Sequence, residues 1–127
     1  MTPLRLESGL LFVAFELGFK SQLIVVKNAL LDTGAASTVI STPIAEALNI
    51  IPEPTDSLRR LVGIGGVEWV YTKQVDYLQV GTEKQSSFEV EISGSDYGFG
   101  IDAILGTDFL LTVGAIINLK TLTLAVA

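Results

Sequence analysis

The chain has no cysteine and no histidine, a single tryptophan, and only eight Lys and Arg residues against fourteen acidic ones. Without Cys or His it can hold no Ser-His-Asp or Cys-His nucleophile system, no thiolate or imidazole metal site and no disulfide frame. No metal or cofactor is therefore expected. Carboxylates, hydroxyls, amines and backbone dipoles are the chemical tools that remain. The shortage of cations, with a net charge of −6 and a pI near 4.4, removes the basic footprint of a nucleic-acid binder. Long apolar runs are missing too. The stretch from Gly9 to Phe15 is interrupted by Glu16 and Lys20, well short of the roughly 20 residues a spanning helix needs. No small-x-small cleavage pattern follows it to mark a secretory leader. A soluble, cytoplasmic protein without a membrane partner is expected, and the absence of cysteine is compatible with that.

At 127 residues, one domain over residues 1–127 is the natural size. The hydrophobic content of 49% and mean hydropathy of +0.53 are high for such a chain. Either the core is unusually apolar or part of the apolar surface is buried against a partner. The patterning is strand-like. Phe88-Glu89-Val90-Glu91-Ile92 alternates strictly, which predicts a sheet with one wet face. Leu10 to Leu17 and Leu23 to Leu31 flank Gly18-Phe19-Lys20-Ser21 and predict a hairpin. Leu58 to Ile64 and Val67 to Val80 predict a longer one around Gly65-Gly66, and Ala115 to Leu119 with Thr121 to Val126 a third around Lys120. Two short helices interrupt the strands: one with Thr42 as N-cap and Pro43 at the first helical position, running to about Leu48, and one from about Thr107 to before Gly114. Pro52, Pro54 and the segment Gly94 to Gly100 predict loops. The sum is a mostly β domain of barrel or sandwich type.

The segment that carries chemistry is Ala29-Leu30-Leu31-Asp32-Thr33-Gly34-Ala35-Ala36-Ser37-Thr38-Val39-Ile40, where an apolar strand ends in Asp-Thr-Gly and a second apolar run follows. An Asp-Thr-Gly or Asp-Ser-Gly triplet arises by chance in about 5% of chains this long and is otherwise an ordinary turn. Two further features give it context. Ala103-Ile104-Leu105-Gly106-Thr107-Asp108-Phe109-Leu110 is an apolar triplet and glycine leading into a helix, and Val62-Gly63-Ile64-Gly65-Gly66-Val67 is a glycine-rich hairpin between the two. In this order and at this spacing the three resemble the retropepsin-like aspartic proteases, over roughly Leu10 to Val126. The resemblance implies a closed β-barrel with a flap at about residues 58–72 and one or two short helices. It also implies aspartic endopeptidase activity on a peptide or protein substrate.

The same resemblance assigns roles. Asp32, Thr33 and Gly34 would be catalytic: Asp32 as the carboxylate, Thr33 bonding across to its counterpart, and Gly34 allowing close approach of substrate or water. Ala35, Ala36, Gly63, Ile64, Gly65, Gly66 and Val67 would touch substrate, and Ile104, Leu105 and Gly106 would support the loop from beneath. Trp69 and Tyr71 read as core or flap-base packing rather than specificity determinants, and Arg59-Arg60 as a solvated pair, with binding of an acidic substrate side chain by one of them as the alternative. The chemistry needs two carboxylates around one water, and this chain has one Asp-Thr-Gly. The second must come from another copy, a C2 homodimer pairing Asp32 with Asp32′. Two positions depart from the viral pattern: Ala36 stands where viral enzymes carry Asp, and Thr107 where they carry Arg. Losing both partners of that ion pair together strands no charge, and the form is more like cellular, particularly bacterial, members. Ala35 lacks the hydroxyl that pepsin-like members place there to lower a catalytic pKa, so weakly acidic to near-neutral activity is expected. The alternatives are a catalytically silent retropepsin-like module for dimerisation or peptide binding, and a structural β-barrel with a chance triplet.

Overall fold

The structure, a computed structural model, describes residues 1–63 and 66–126. The described residues are mostly β with two short helices. Strands β1 (Thr2–Pro3) and β2 (Arg5–Glu7) precede the predicted hairpin of β3 (Leu10–Phe19) and β4 (Gln22–Leu31). The hairpin turns on Lys20 and Ser21, both at positive φ. That left-handed pair matches the twist of the strands it joins. Along β3 the side chains of Val13, Phe15, Leu17 and Phe19 enter the core, and between Val13 and Phe15 the register shifts, β4 placing two residues, Lys27 and Asn28, opposite Ala14 alone.

A short connection, residues 32–38, joins β4 to β5 (Val39–Ser41), yet the two strands are not neighbours. Strand β9 (Ala103–Leu105) lies between them, parallel to β4 with Leu31 opposite Leu105, and antiparallel to β5 with Val39 opposite Ile104. The connection must therefore arch over the end of β9. Strand β5 pairs on its other side with β8 (Glu83–Ser93), and β8 pairs with β7 (Gly66–Val80). Strand β7 pairs with β6 (Leu58–Gly63) near its start and with β3 near its end. The pairings thus run in a circuit from β3 through β4, β9, β5, β8 and β7 back to β3. A separate three-stranded sheet holds β1, β11 (Thr123–Val126) and β10 (Ala115–Asn118) in that order. Phe15, Leu17, Ile40, Leu78, Ile92, Leu105 and Phe109 fill the centre.

Helix α1 (Thr42–Ala47) begins one residue from the expected cap. Ser41 is the N-cap, and the Thr42 hydroxyl donates to the Ser93 carbonyl at 3.3 Å instead. Helix α2 (Thr107–Val113) ends on left-handed Gly114. Strands β1 and β2 carry too few residues to show a period, and nothing in the sequence marked them. Ile64 and Gly65, the centre of the expected flap tip, lie outside the described residues.

One ion cluster ties the loop after α1 to the sheet. Lys73 on β7 is buried, and its ammonium bonds Glu53 at 2.9 Å and Asp56 at 2.8 Å. Its hydrogen bond to Asp56 holds that carboxyl below its ordinary range. Burial alone would lower the Lys73 pKa, but the bonds to Asp56 and Glu53 outweigh it and the net shift is upward. A depressed carboxyl stabilises the fold above its unfolded pKa near 4 and loses that contribution as pH falls through the folded value. Lys73→Met is expected to cost about 1–3 kcal/mol at pH 7 in urea unfolding. The deficit should shrink between pH 4 and 2; one that stays constant over that range would contradict this assignment.

Candidate active site

Asp32 follows the last residue of β4, and its N–H extends the ladder by donating to the Leu105 carbonyl at 3.1 Å. The chain then turns tightly. Gly34 N–H donates to Asp32 Oδ1 at 2.8 Å, and Ala35 N–H donates to the Asp32 carbonyl at 3.2 Å. This is a side-chain-closed turn of the kind Asp favours. The Asp32 carboxylate is half-buried, and its Oδ2 accepts no bond among the described residues. Thr33, Gly34 and Ala36 are exposed, while Ala35 is half-buried. A Cβ on Gly34 would lie 3.2 Å from Asp32 Oδ1, leaving little room for a side chain beside the carboxylate.

Behind this turn two chain segments cross. Gly106 is buried, and a Cβ there would lie 2.5 Å from the Ser37 carbonyl oxygen, 2.6 Å from its carbon and 2.9 Å from the Ala35 carbonyl oxygen. Those are backbone atoms with nowhere to go, so the crossing requires glycine. Thr107 fastens one side, its N–H and hydroxyl both donating to the Ala35 carbonyl at 2.8 and 3.1 Å. Thr38 fastens the other. It is fully buried, its Oγ1 accepts from Gly106 N–H at 3.1 Å, and the same hydroxyl donates to Asp108 Oδ1 at 2.8 Å. Thr38 N–H donates to Asp108 Oδ2 at 3.0 Å, and Phe109 N–H donates to Asp108 Oδ1 at 2.8 Å. Both carboxylate oxygens are therefore used. Leu105 is buried in the core below, while Ile104 on the opposite face of β9 is half-buried.

Thr38 and Asp108 carried no assignment in the sequence. They lie 70 residues apart, and no local pattern pairs them. An acid in the first turn of a helix that follows glycine was the only available signal.

The strands beside the loop correct three expectations. Trp69 is 65% exposed rather than packed. The β7–β8 ladder begins only at Tyr71 opposite Ile92, so at Trp69 β7 has β6 alone beside it, with Arg60 opposite; Tyr71, within the ladder, is half-buried against the core. Arg59 is not merely solvated, because it donates to Glu91 Oε1 at 2.7 Å, a bond that raises its own pKa. Glu91 is not on a wet face either: it is 1% exposed, since β8 has paired strands on both sides and Arg59 reaches over it. Further along β7, the Tyr97 hydroxyl donates to Glu68 Oε1 at 2.7 Å. Burial pushes Tyr97 up to about 12. Burial would also raise Glu68, but bonds from Ser95, Tyr97 and Ser93 prevail and lower it.

Of the expected flap residues, Gly63 and Gly66 face each other in the β6–β7 register and Val67 is 58% exposed. Among the described residues no group of three or more Asp, Glu, His or Cys side chains is arranged to hold a metal ion. Thr38→Val would leave the buried Gly106 N–H without its partner and take from Asp108 Oδ1 one of its two donors. The expected loss is about 2–4 kcal/mol in urea unfolding. Thr38→Ser, which keeps the hydroxyl, should lose less than half of that; equal losses would mean that packing, not the bonds, holds the crossing.

The site thus combines a strand-ending Asp-Thr-Gly turn with a glycine crossing that backs it. A family model described as aspartyl protease matches residues 23–109, which span β4, the Asp32 loop, the β6–β7 pair, β9 and the start of α2. No curated protein matches the chain. No helix among the described residues is long and apolar enough to cross a membrane. The match covers more than half of the chain, which belongs to the retropepsin-like aspartyl protease family.

Proposed function

We propose that the protein is an aspartic endopeptidase that works as a homodimer, with Asp32 of each protomer meeting at one catalytic centre. The observation that carries this reading is the Asp32 turn itself. One carboxylate oxygen is pinned by the Gly34 N–H while the other accepts no bond among the described residues, at a half-buried position open to a water molecule. In the proposed reaction one Asp32 takes a proton from the water as that water attacks the scissile carbonyl. Its partner, protonated, donates to the carbonyl oxygen. The first Asp32 then passes the proton it took from water to the departing amine, and the partner recovers its own proton from the intermediate's hydroxyl as the C–N bond breaks.

Several features support a second copy. The chain holds one Asp-Thr-Gly. Asp108 is committed to Thr38, and Asp102 Oδ2 accepts from Asn28 at 3.3 Å. Thr33 is exposed with a side chain that makes no hydrogen bond among the described residues, consistent with pairing across an axis. Strands β1 and β10 end the three-stranded sheet, and Ile116 on β10 and Leu119 just beyond it are exposed. Unpaired edges with apolar side chains favour association. Residues 1–127 would form one catalytic unit, and the circuit of paired strands supports reading it as the closed barrel of the family. Gly63, Ile64, Gly65, Gly66 and Val67 would form the flap, and the proposed setting is the cytoplasm.

Asp32→Asn is expected to lower peptide cleavage by at least about 10³-fold while circular dichroism and sedimentation stay unchanged. A pepstatin-type transition-state mimic should inhibit the unaltered protein. Retained cleavage in the variant would contradict the reading, and peptide binding without cleavage by the unaltered protein would favour a binding module. With Ala35 offering no hydroxyl to the carboxylate, the pH–rate profile should peak in weakly acidic to near-neutral solution; a maximum at pH 2–3 would contradict that role.

A further inference from the structure

Beside the Asp32 loop lies a cavity of about 460 Å³ bounded by Ala36 and Ser37 on one side and by Arg59, Glu89, Glu91 and Asp108 on the other. Its formal charge is one cation against three carboxylates. Two of those groups are already occupied. Arg59 is bonded to Glu91 Oε1, and both oxygens of Asp108 are taken by Thr38 and the Phe109 N–H. Two acceptors remain. Glu89 stands exposed at the rim, and Glu91 Oε2, on a side chain only 2% exposed, has no hydrogen-bond partner among the described residues. A buried carboxylate oxygen left without a donor is costly, and an excess of negative charge in a recess favours a cation.

We infer that this cavity is a specificity pocket for a lysine or arginine side chain of the peptide substrate. Such a side chain brings an apolar stem, which Phe88 in the cavity wall can cover, and a donor-rich head for Glu91 Oε2 and Glu89. Arg59 has half of its side chain in solvent and can give ground as the new cation enters. The inference rests on the protease reading for its geometry. Ala36 is four residues beyond Asp32, a reach of at most about 14 Å, and an extended peptide covers that distance in about four residues. The basic residue therefore sits within about four positions of the cleaved bond. In a C2 dimer each protomer supplies one such pocket, one on each side of that bond.

The test uses full-length Asp32→Asn protein and otherwise uncharged peptides carrying either lysine or norleucine at each position within four of the cleaved bond. Norleucine keeps the stem and lacks the charge. Calorimetry should show about tenfold tighter binding of the lysine peptide at one or more positions. Glu91→Gln should remove that preference, and Glu89→Lys, on an exposed residue that tolerates change, should remove or reverse it. Equal or undetectable binding of the two peptides at every position, or a preference that survives both substitutions, overturns the inference. Cleavage by the unaltered protein is measured in parallel. Charge preference without cleavage would retain the pocket and reject the protease reading, and cleavage without charge preference would do the reverse.

Discussion

The place of Asp32 depends on one crossing: the turn that follows it passes over Gly106, and Thr38 closes the crossing by bonding Gly106 and Asp108 at once. Strand β9 separates β4 from β5, so the connection between those strands has no ladder of its own and would be loose without outside partners. The crossing supplies them. Leu105 fixes the start of the connection through the Asp32 N–H, Thr107 fixes its middle at Ala35, and Asp108 fixes its end at Thr38. A carboxylate anchored at three points in seven residues keeps its direction, and a positioned acid–base group needs direction more than it needs a special composition.

The electrostatics of the crossing differ from the ion pair that the viral pattern would place at Ala36 and Thr107. Here the donors are neutral: two N–H groups and one hydroxyl share the Asp108 carboxylate, and Thr107 uses an N–H and a hydroxyl on a carbonyl. Among the described residues no cation bonds to the crossing itself, so the cost that accompanies a buried ion pair does not arise within it. The ion pairs lie outside the crossing: Lys73 with Glu53 and Asp56, and Arg59 with Glu91 in the wall of the cavity that Ala36 and Ser37 also line.

Much of this was legible in the chain. The hairpin of β3 and β4, the helices at Thr42 and Thr107, and the loop between two apolar runs at Asp32 announce themselves by period, glycine and proline. What escaped did so for physical reasons. Glu91 sits in strict alternation and reads as solvent-facing, yet alternation reports which side of a strand a residue is on, not whether something covers that side; Arg59, 32 residues earlier, does. Trp69 reads as packed because of its size, but burial there depends on where the β8 ladder stops. Strands β1 and β2 are held by register with β11 and β3 rather than by their own composition. The Thr38–Asp108 bond joins parts of the chain 70 residues apart, and only the fold brings them together.

The central claim is that this chain carries half of an active site. Subunit mixing tests it most directly. A fixed amount of the unaltered protein is combined with an equal amount of Asp32→Asn at concentrations where the dimer is fully formed, the subunits are allowed to exchange, and peptide cleavage is measured. Random pairing places half of the unaltered subunits in dimers with one Asp32 missing, so activity should fall to about half of its starting value and continue falling as more variant is added. Activity that stays constant however much variant is added would show that each chain works alone and would contradict the account.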